Sequence, residues 1–311
     1  GTGSSGAKAI TGVGFQPDWL WIKNRTVAQE HWLADSIRGN TKFLESNSNN
    51  AESSDGATGL ASFDSDGFTL GTGSDRTNDL NESMVAWNWK ETADAGFDIV
   101  SYTGNGSNRN ISHSLSAVPK MMIIKNLSAT SGDRDWAVYH QALGNGSFCL
   151  LNTTDAKDDS SGFFNNTTPT SSVFTVGTNT RVNANSDTFI AYLFAEKKGY
   201  SKFGSYTGNG NDDGTFVYTG FKPAFVLQKC SSDTGSWHIH DNKRSINGTD
   251  KYLYADTNEA EVSTTRMDFL SNGFKLRSNH DVWNGSGRTY VYMAFAESPF
   301  VTSTAIPTTA R

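Results

Sequence analysis

The phrase Ser101-Tyr102-Thr103-Gly104-Asn105-Gly106 returns unchanged as Ser205-Tyr206-Thr207-Gly208-Asn209-Gly210. Gly1-Thr2-Gly3 reads as a third copy that lacks the first half of the phrase. Gly1 and Gly104 are 103 residues apart, and Gly104 and Gly208 are 104 apart. A period of this size exceeds the roughly 20–50 residues of solenoid repeats and is long enough for a domain with its own core. The sequence therefore predicts one structural unit used three times.

The three copies set the predicted domain boundaries. A chain of 311 residues suits two or three domains, and the period selects three. We predict a first domain without its opening strand, two complete domains and an extended tail, at residues 1–96, 97–199, 200–300 and 301–311. The first repeat has no counterpart of residues 97–102. We expect that sheet position to be empty, or filled by upstream residues or by another subunit.

Composition favours β-structure and argues against two classes of partner. Aromatic residues make up 12% of the chain and charged residues 19%, and the 30 glycines suit strands joined by polar turns. The net charge is -6 without a long basic run, so we expect no nucleic acid binding and no membrane insertion. Cys149 and Cys230 occupy non-equivalent places in the repeats, which predicts two free thiols.

Three strands recur in every repeat. The first has apolar residues on both faces, which predicts a buried central strand, and it follows Pro17, Pro119 or Pro223. The second carries Trp32, Trp136 or Trp237. The last has large side chains at alternate positions, which share one face and are predicted to form the core of each unit: Val85, Trp87 and Trp89; Ile190, Tyr192 and Phe194; Val291, Met293 and Phe295.

We predict an all-β protein made of three tandem antiparallel β-sandwich domains of the jelly-roll or lectin-like type. Each repeat offers seven or eight short strand patterns with turn signals roughly every 8–12 residues, and no long helical period. A small β-barrel is the alternative for each unit. The connections between units are short, which predicts a stiff row of three.

The recurring motifs resemble those of a known family. They comprise the strand that follows the proline, with a lysine six residues after that proline, the tryptophan strand, the Gly67-Phe68-Thr69-Leu70 turn and the last strand. The opening phrase and the tail Ile306-Pro307-Thr308-Thr309-Ala310-Arg311 complete the set. Together they look like an uncharacterised three-copy β-rich repeat family of predicted tail or fibre structural proteins from marine tailed phages. The resemblance covers about residues 1–300. It implies an extracellular component of the virion surface or tail that forms a homo-oligomer, a trimer or a fibre, and contacts other virion proteins.

Acidic and histidine residues offer little catalytic chemistry. A glutamate recurs after the last strand, but no second acid recurs beside it, as glycoside hydrolysis requires. We interpret these glutamates as turn or salt-bridge residues with Lys23, Lys125 or Lys229 as partners: Glu91, Glu196 and Glu297. His238 and His240 share a strand face, for which we favour a surface-facing edge, because a metal site needs further ligands.

We predict no cofactor, although two acidic turns leave structural Ca²⁺ open. Asp64-Ser65-Asp66-Gly67 and Asp212-Asp213-Gly214 supply clustered oxygen ligands without the spacing of a full calcium loop.

The strongest candidate for ligand binding is the loop around Trp283. An exposed ring beside amide and carboxylate groups can stack on a sugar and bond its hydroxyls. The predicted ligand-binding residues are Trp283, Asn284, Asp281, Asp212, Asp213 and Asn209. The alternative is a tryptophan folded back onto the sandwich.

These observations predict a non-enzymatic virion structural protein, a tail-fibre or tail-tip module that contacts a host surface glycan or protein. A purely architectural fibre shaft or capsid decoration protein is the first alternative, and a polysaccharide depolymerase the second. The tail carries β-branched residues before Pro307, so we expect it to lie extended on a neighbouring unit or subunit.

Overall fold

The computed structural model describes residues 1–4, 6–73, 76–128, 134–245 and 250–297. The fold is all-β, with several antiparallel sheets and three helices of four residues each in these ranges. The tail at residues 301–311 lies outside the described residues.

The strands follow the three sequence repeats. The first repeat contains β1 (Lys8–Thr11), β2 (Trp19–Asn24), β3 (Trp32–Asp35), β4 (Lys42–Phe43), β5 (Ser53–Ser54), β6 (Leu60–Asp64), β7 (Gly67–Leu70) and β8 (Met84–Trp89). The second contains β9 (Phe97–Thr103), β10 (Arg109–Ser112), β11 (Pro119–Asn126), β12 (Ala137–His140), β13 (Ser147–Leu150), β14 (Asp158–Asp159), α1 (Ser161–Phe164), β15 (Val173–Val176), α2 (Thr180–Asn183) and β16 (Thr188–Ala195). The third contains β17 (Ser201–Thr207), β18 (Phe216–Tyr218), β19 (Phe225–Cys230), β20 (Trp237–Asp241), β21 (Lys251–Tyr254), β22 (Val262–Ser263), β23 (Met267–Leu270), β24 (Gly273–Leu276), α3 (Asp281–Asn284) and β25 (Thr289–Phe295).

The second and third repeats each form one broad and one small sheet. In the second, the broad sheet has the order β14-β13-β12-β11-β16-β9 and the small sheet pairs β10 with β15. In the third, the orders are β17-β25-β19-β20-β21-β22 and β18-β24-β23. The first repeat has sheets of order β3-β2-β8, β4-β5 and β1-β7-β6, so β8 is an edge strand where β16 and β25 are flanked on both sides.

Each repeat buries a cluster of its own between its sheets. In the second repeat, Met122 on β11 and Leu193 on β16 face Phe174 on β15. Alternate residues of a strand point to opposite faces, so only half of each broad strand enters this cluster. The proline strand is the buried central strand that the sequence predicts, because β11 and β19 are hydrogen-bonded on both sides and β2 and β19 are buried throughout.

The other faces of the three broad sheets meet in one shared central cluster. The large side chains of the last strands lie here rather than in separate cores, which corrects the prediction made for Trp87, Tyr192 and Met293. At its centre Trp89, Phe194 and Phe295 form a triangle with ring centroids 6.0–6.5 Å apart. The predicted stiff row is therefore wrong, since every repeat contacts both others.

Equivalent main-chain hydrogen bonds close the three repeats into a ring. Each donor is the residue directly before a two-residue strand, β5, β14 or β22, and each acceptor is a carbonyl of the next repeat. The bonds are Glu52 N to Leu127 O at 3.1 Å, Lys157 N to Ser231 O at 2.9 Å and Glu261 N to Arg25 O at 2.9 Å. Donors and acceptors run from the first repeat to the second, the second to the third and the third to the first. The arrangement is therefore approximately threefold.

The tryptophan strands contain a one-residue offset that the sequence did not indicate. Trp136 and Trp237 each donate their indole N–H to a carbonyl of the preceding repeat, Glu45 O and Leu150 O, both at 2.9 Å. In the first repeat His31 takes that place, with Nε2 2.8 Å from Tyr254 O. Trp32 instead enters the first repeat's own cluster, so its predicted equivalence to the other two is wrong.

The recurring lysines are fully buried and do not pair with the recurring glutamates. Each Nζ donates to the carbonyl of the following residue at 2.7–2.8 Å: Lys23, Lys125 and Lys229. Burial lowers the pKa of Lys125 to about 7 and that of Lys23 to about 8, because the charged form loses hydration. The glutamates have other partners, Lys202 for Glu196 and Lys243 for Glu297, which corrects the predicted pairing. Both cysteines are free, as predicted, and the structure shows that both are buried.

The opening residues continue a strand along β8. Gly1 exchanges hydrogen bonds with Met84, and Gly3 N donates to Glu82 O. Gly104 N makes the same bond to Asp187 O, so Gly3 rather than Gly1 is the counterpart of Gly104. A Cβ on Gly3 would lie 1.9 Å from Asp79 O, which explains why glycine is needed at this turn.

Candidate ligand-binding face

The repeated phrase is held in place by a buried asparagine on the short helix of the same repeat. Asn284 on α3 accepts a hydrogen bond from Asn209 N at 3.0 Å and donates to Asn209 Oδ1 at 2.7 Å and to Asn211 O at 2.9 Å. Asn183 on α2 makes the equivalent bond with Asn105 N at 2.9 Å. Two of the predicted ligand-binding residues, Asn209 and Asn284, thus lie together, and their amide groups fix the loop.

Trp283 is buried against the interior of the third repeat. Its side chain is only 2% exposed, and its ring centroid is 3.6 Å from that of His238 and 4.8 Å from that of Tyr252. No ring face is available to a sugar, and the folded-back arrangement is the one observed. The polar loop sequence around Trp283 suggested exposure because its packing partners on β20 and β21 are distant in the chain.

The two histidines of β20 line this interior and are not at a surface edge as expected. His238 and His240 are buried, and His240 Nδ1 is 3.0 Å from Asp250 Oδ1. Burial lowers the pKa of His238 well below its ordinary value, and the neighbouring His240 adds to this effect. Within the described ranges there is no group of three or more His, Cys, Asp or Glu side chains that could hold a metal ion.

The acidic turns use their carboxylates on neighbouring chain segments. Asp66 accepts the N–H groups of Gly12 and Gly14 at 3.0 and 2.7 Å. Asp212 accepts the N–H of Asn279 at 3.0 Å, and Asp281 lies 3.0 Å from Arg288 Nη2. These carboxylates stabilise loops of the third and first repeats.

Two exposed aromatic rings stand on the outer face of the small sheet of the third repeat. Phe216 is 43% exposed and Tyr218 is 62% exposed, while Val217 between them is buried against Phe274. The alternation places both rings on the same side of β18, which within the described part of the chain is an edge strand paired with β24 alone. A Cβ on Gly273, opposite Tyr218, would lie 3.1 Å from the ring of Phe216, so this glycine lets the ring lie close to β24.

Charged groups of both signs border these rings. Lys275 lies directly across from Phe216, and its Nζ is 2.5 Å from Asp213 Oδ1. The hydrogen bond from Lys275 lowers the pKa of Asp213, so the carboxylate stays ionised. Arg277 links Asp213 and Asp268 at 3.4 and 2.5 Å. We call Phe216, Tyr218, Asp213, Lys275 and Arg277 the aromatic face.

The family of the chain follows from comparison over nearly its whole length. A family described as a domain of unknown function (DUF7483) matches residues 1–299. The chain belongs to this family. No curated protein matches the chain. Among the described residues, no helix is both long and apolar enough to cross a membrane.

The aromatic face is confined to one of the three repeats of this DUF7483 chain. Three inward-facing residues occupy equivalent places opposite Phe68, Phe174 and Phe274: Ile10, which is partly buried, and Ile111 and Val217, which are buried. The flanking positions are Ala9 and Thr11 in the first repeat and Asn110 and Ser112 in the second. Neither pair offers a ring, so the other repeats serve as internal comparisons for the third.

Sequence reasoning missed Phe216 and Tyr218, although it selected Asp213 beside them. The signal was the apolar triplet Phe216-Val217-Tyr218, of which only Val217 is buried while the two rings are exposed. Comparing this triplet with its small and polar equivalents in the other repeats would have singled it out.

Proposed function

We propose that the chain is a non-enzymatic structural module of a phage virion, at a tail fibre or tail tip, which attaches to a host surface glycan through the aromatic face. The observation that carries the proposal is the pair of exposed rings, Phe216 and Tyr218, on one side of an edge strand. The resemblance of the repeats to phage tail and fibre proteins supports the virion setting.

The aromatic face has the chemistry that sugar recognition requires. Aromatic rings pack against the C–H face of a pyranose. Phe216 and Tyr218 are exposed, so their ring faces are available for this contact. Asp213, Lys275 and Arg277 supply an acceptor and donors around the rings, which can bond hydroxyl groups. Such contacts are individually weak, so we expect affinity to depend on several copies acting together.

We propose that the several copies of the aromatic face come from oligomerisation of the chain rather than from its internal repeats. Only the third repeat carries the rings, so one chain presents one aromatic face. A homo-oligomer, such as a trimer or a fibre, would multiply it at the virion surface, next to other virion proteins. We propose no cofactor for this binding.

We further propose that the repeats are three tandem sandwich domains of jelly-roll or lectin-like type, divided as 1–96, 97–199 and 200–300. The broad and small sheets with a cluster between them in the second and third repeats support this division.

Adsorption with matched variants tests the glycan proposal. The double variant Phe216→Ala/Tyr218→Ala should reduce binding to host cells and to a glycan array by about tenfold or more, because both stacking surfaces are lost. Ile37→Ala is the control, since it removes an exposed apolar side chain (51%) from the first repeat. Equal binding by both variants and the parent chain would contradict the proposal.

The same preparation separates the alternatives. A parent chain that binds neither cells nor any glycan would favour an architectural fibre shaft or capsid decoration protein. Release of reducing ends from host polysaccharide would favour a depolymerase.

A further inference from the structure

A tyrosine of the repeated phrase closes one edge of the sandwich in the second repeat. The ring of Tyr102 stacks on Phe189 of β16, with centroids 5.1 Å apart, and meets Phe174 of β15 edge-on at 6.2 Å. Its hydroxyl donates to Val182 O on α2 at 2.7 Å. The broad sheet, the small sheet and the short helix therefore hold this ring together.

The third repeat holds a tyrosine in the same way. The ring of Tyr206 stacks on Tyr290 of β25, with centroids 4.8 Å apart, and meets Phe274 of β24 edge-on at 6.2 Å. Its hydroxyl donates to Trp283 O on α3 at 2.8 Å. Both tyrosines are buried. A phenol ring is thus what this position of the fold accommodates in two of the three repeats.

The first repeat has the main chain of this arrangement without the ring. Gly1 and Met84 form a hydrogen-bonded pair, with Gly1 N 3.0 Å from Met84 O and Met84 N 2.8 Å from Gly1 O. Met84 on β8 has the register of Phe189 on β16, and Phe189 pairs with Tyr102. Gly1 is therefore the counterpart of Tyr102. A Cβ on Gly1 would lie more than 4 Å from every described atom outside its chain neighbours.

A pocket of about 360 Å³ lies where the ring would be. Met84 lines it at the place of Phe189, and Phe68 lines it at the place of Phe174. Ile22 adds a further apolar wall. A cavity of about 150 Å³ with such walls is enough to bind benzene, so this pocket has room for a substituted ring.

The pocket also contains the place from which a tyrosine hydroxyl is bound in the other repeats. Thr77 lines it as the counterpart of Val182. The residue after each, Asn78 and Asn183, accepts a main-chain N–H of its own copy of the repeated phrase at 2.9 Å. The carbonyl of Thr77 therefore has the position of the carbonyl that accepts the hydroxyl of Tyr102.

We propose that the first repeat binds a small phenol in this pocket, with the ring between Met84 and Phe68 and the hydroxyl donating to the carbonyl of Thr77. The main chain at Gly1 already occupies the place of the strand that carries Tyr102. A ring attached to another polypeptide strand would bring a second main chain to that place, so the ligand is a free molecule.

The charged groups around the pocket favour a neutral ligand, because they already have partners. Arg25 Nε is 2.7 Å from Glu261 Oε2. The other three also have acceptors, which are Thr2 O for Lys8, Glu297 for Lys243 and Asp241 for Arg244. A simple phenol keeps its proton at neutral pH, as the tyrosine side chain does.

Titration with p-cresol, which is the side chain of tyrosine as a free molecule, tests the site. In the full chain the amide resonances of Thr77 and Met84 should shift and saturate with a Kd of about 1 mM or below. Those of Val182 and Phe189 should not move, since Tyr102 fills the equivalent place. Failure of Thr77 and Met84 to shift overturns the proposal.

Two variants of one residue supply the matched comparison. Gly1→Tyr provides the ring from the chain itself and should weaken p-cresol binding by about tenfold or more. Gly1→Ala is the control, because its methyl group enters open space and leaves the pocket unfilled. It should bind like the parent chain. Equal binding of p-cresol by the two variants overturns the proposal.

The same titration separates this pocket from the aromatic face, which lies on the third repeat. Saturable shifts confined to the amides of Phe216 and Tyr218 would place p-cresol on the exposed rings and would overturn its assignment to the first repeat.

Discussion

The seam between the first and second repeats and the seam between the second and third solve one packing problem with different chemistry. At the first, buried Asp35 accepts a hydrogen bond from the Tyr192 hydroxyl at 2.7 Å and from Arg38 Nε at 2.6 Å. At the second, His140 stands in the place of Asp35 and its Nε2 lies 3.0 Å from Tyr292 O. Leu143 replaces the arginine and packs against the central cluster.

The side chains at the two seams differ in their sensitivity to the loss of a partner and to acid. A buried carboxylate is stable only while its partners remain, because an unpaired charge in the interior loses its hydration without compensation. The neutral imidazole of His140 has a partner at each nitrogen, Tyr292 O at Nε2 and the Ala142 N–H at Nδ1, but it acquires a charge in acid. The seam between the third and first repeats follows the first solution, with Asp241, Arg244 and Trp87 in the equivalent places.

Removing the arginine should produce the largest effect. Arg38→Leu leaves Asp35 buried without its cation, and we expect a loss of about 3–5 kcal/mol in the free energy of unfolding. Chemical denaturation with a global fit measures this.

The matched control copies the other seam. The triple variant Asp35→His/Arg38→Leu/Tyr192→Met places the residue types of the second–third seam at the first–second seam, and it should regain most of the loss. A triple variant no more stable than Arg38→Leu would show that the difference between the seams does not lie in these three side chains.

Acid should weaken the second–third seam through His140. Burial lowers the pKa of His140 to about 4, and the bond to Tyr292 O offsets this only in part. The unfolded chain therefore binds more protons between pH 6.5 and 4, and stability falls as pH falls through this window, by up to about 3 kcal/mol from this residue. His140→Gln should remove that share from the measured pH profile of unfolding.

Other buried histidines remain in this variant, so the slope should decrease rather than vanish. His31 at the third–first seam has a pKa of about 3, lowered by burial and by Lys23. His113→Gln is the control on a partly exposed side chain. Superimposable profiles for His140→Gln and the parent chain would refute the assignment.

The smallest expected effect is a gain at the first–second seam. Lys125 lies over the ring of Trp136, with Nζ 5.9 Å from its centroid, and its lowered pKa means that burial opposes its charge. Lys125→Met should raise the free energy of unfolding by about 2 kcal/mol at pH 7, since an apolar side chain carries no such penalty. The gain should shrink as pH rises toward 10.5, where the unfolded amine also loses its proton.

Lys120→Met, on the same strand but partly exposed, should change stability by less than about 0.5 kcal/mol. Equal effects at the two positions would mean that burial of the Lys125 amine carries no energetic cost.

Local features of the fold were predictable from the sequence, whereas the arrangement of the repeats was not. The central strands, the β6–β7 and β23–β24 hairpins and the free thiols follow from short-range patterns. A strand such as β16 is apolar on both faces. This pattern indicates that both faces are buried, but it does not identify the parts of the chain that pack against them. One face meets its own small sheet and the other meets two further repeats.

The binding residues show the same limit. Trp283 was selected because its neighbours in sequence are polar, yet its environment is set by His238 and Tyr252, which lie about 30–45 positions earlier along the chain. Asp213 was selected as a ligand-binding residue and is exposed, but the rings beside it were not selected, because exposure of Phe216 depends on β18 being an edge strand.

The triangle of Trp89, Phe194 and Phe295 has a consequence for how the centre of the molecule can vary. In an assembly of three separate identical chains, any substitution on the axis appears three times, and the cavity or overlap it creates is tripled. In this protein the three central rings belong to three different positions of one chain. A substitution therefore changes the volume at the centre by one side chain at a time. One indole and two phenyl rings, an unequal set that no identical trio could supply, fill the space.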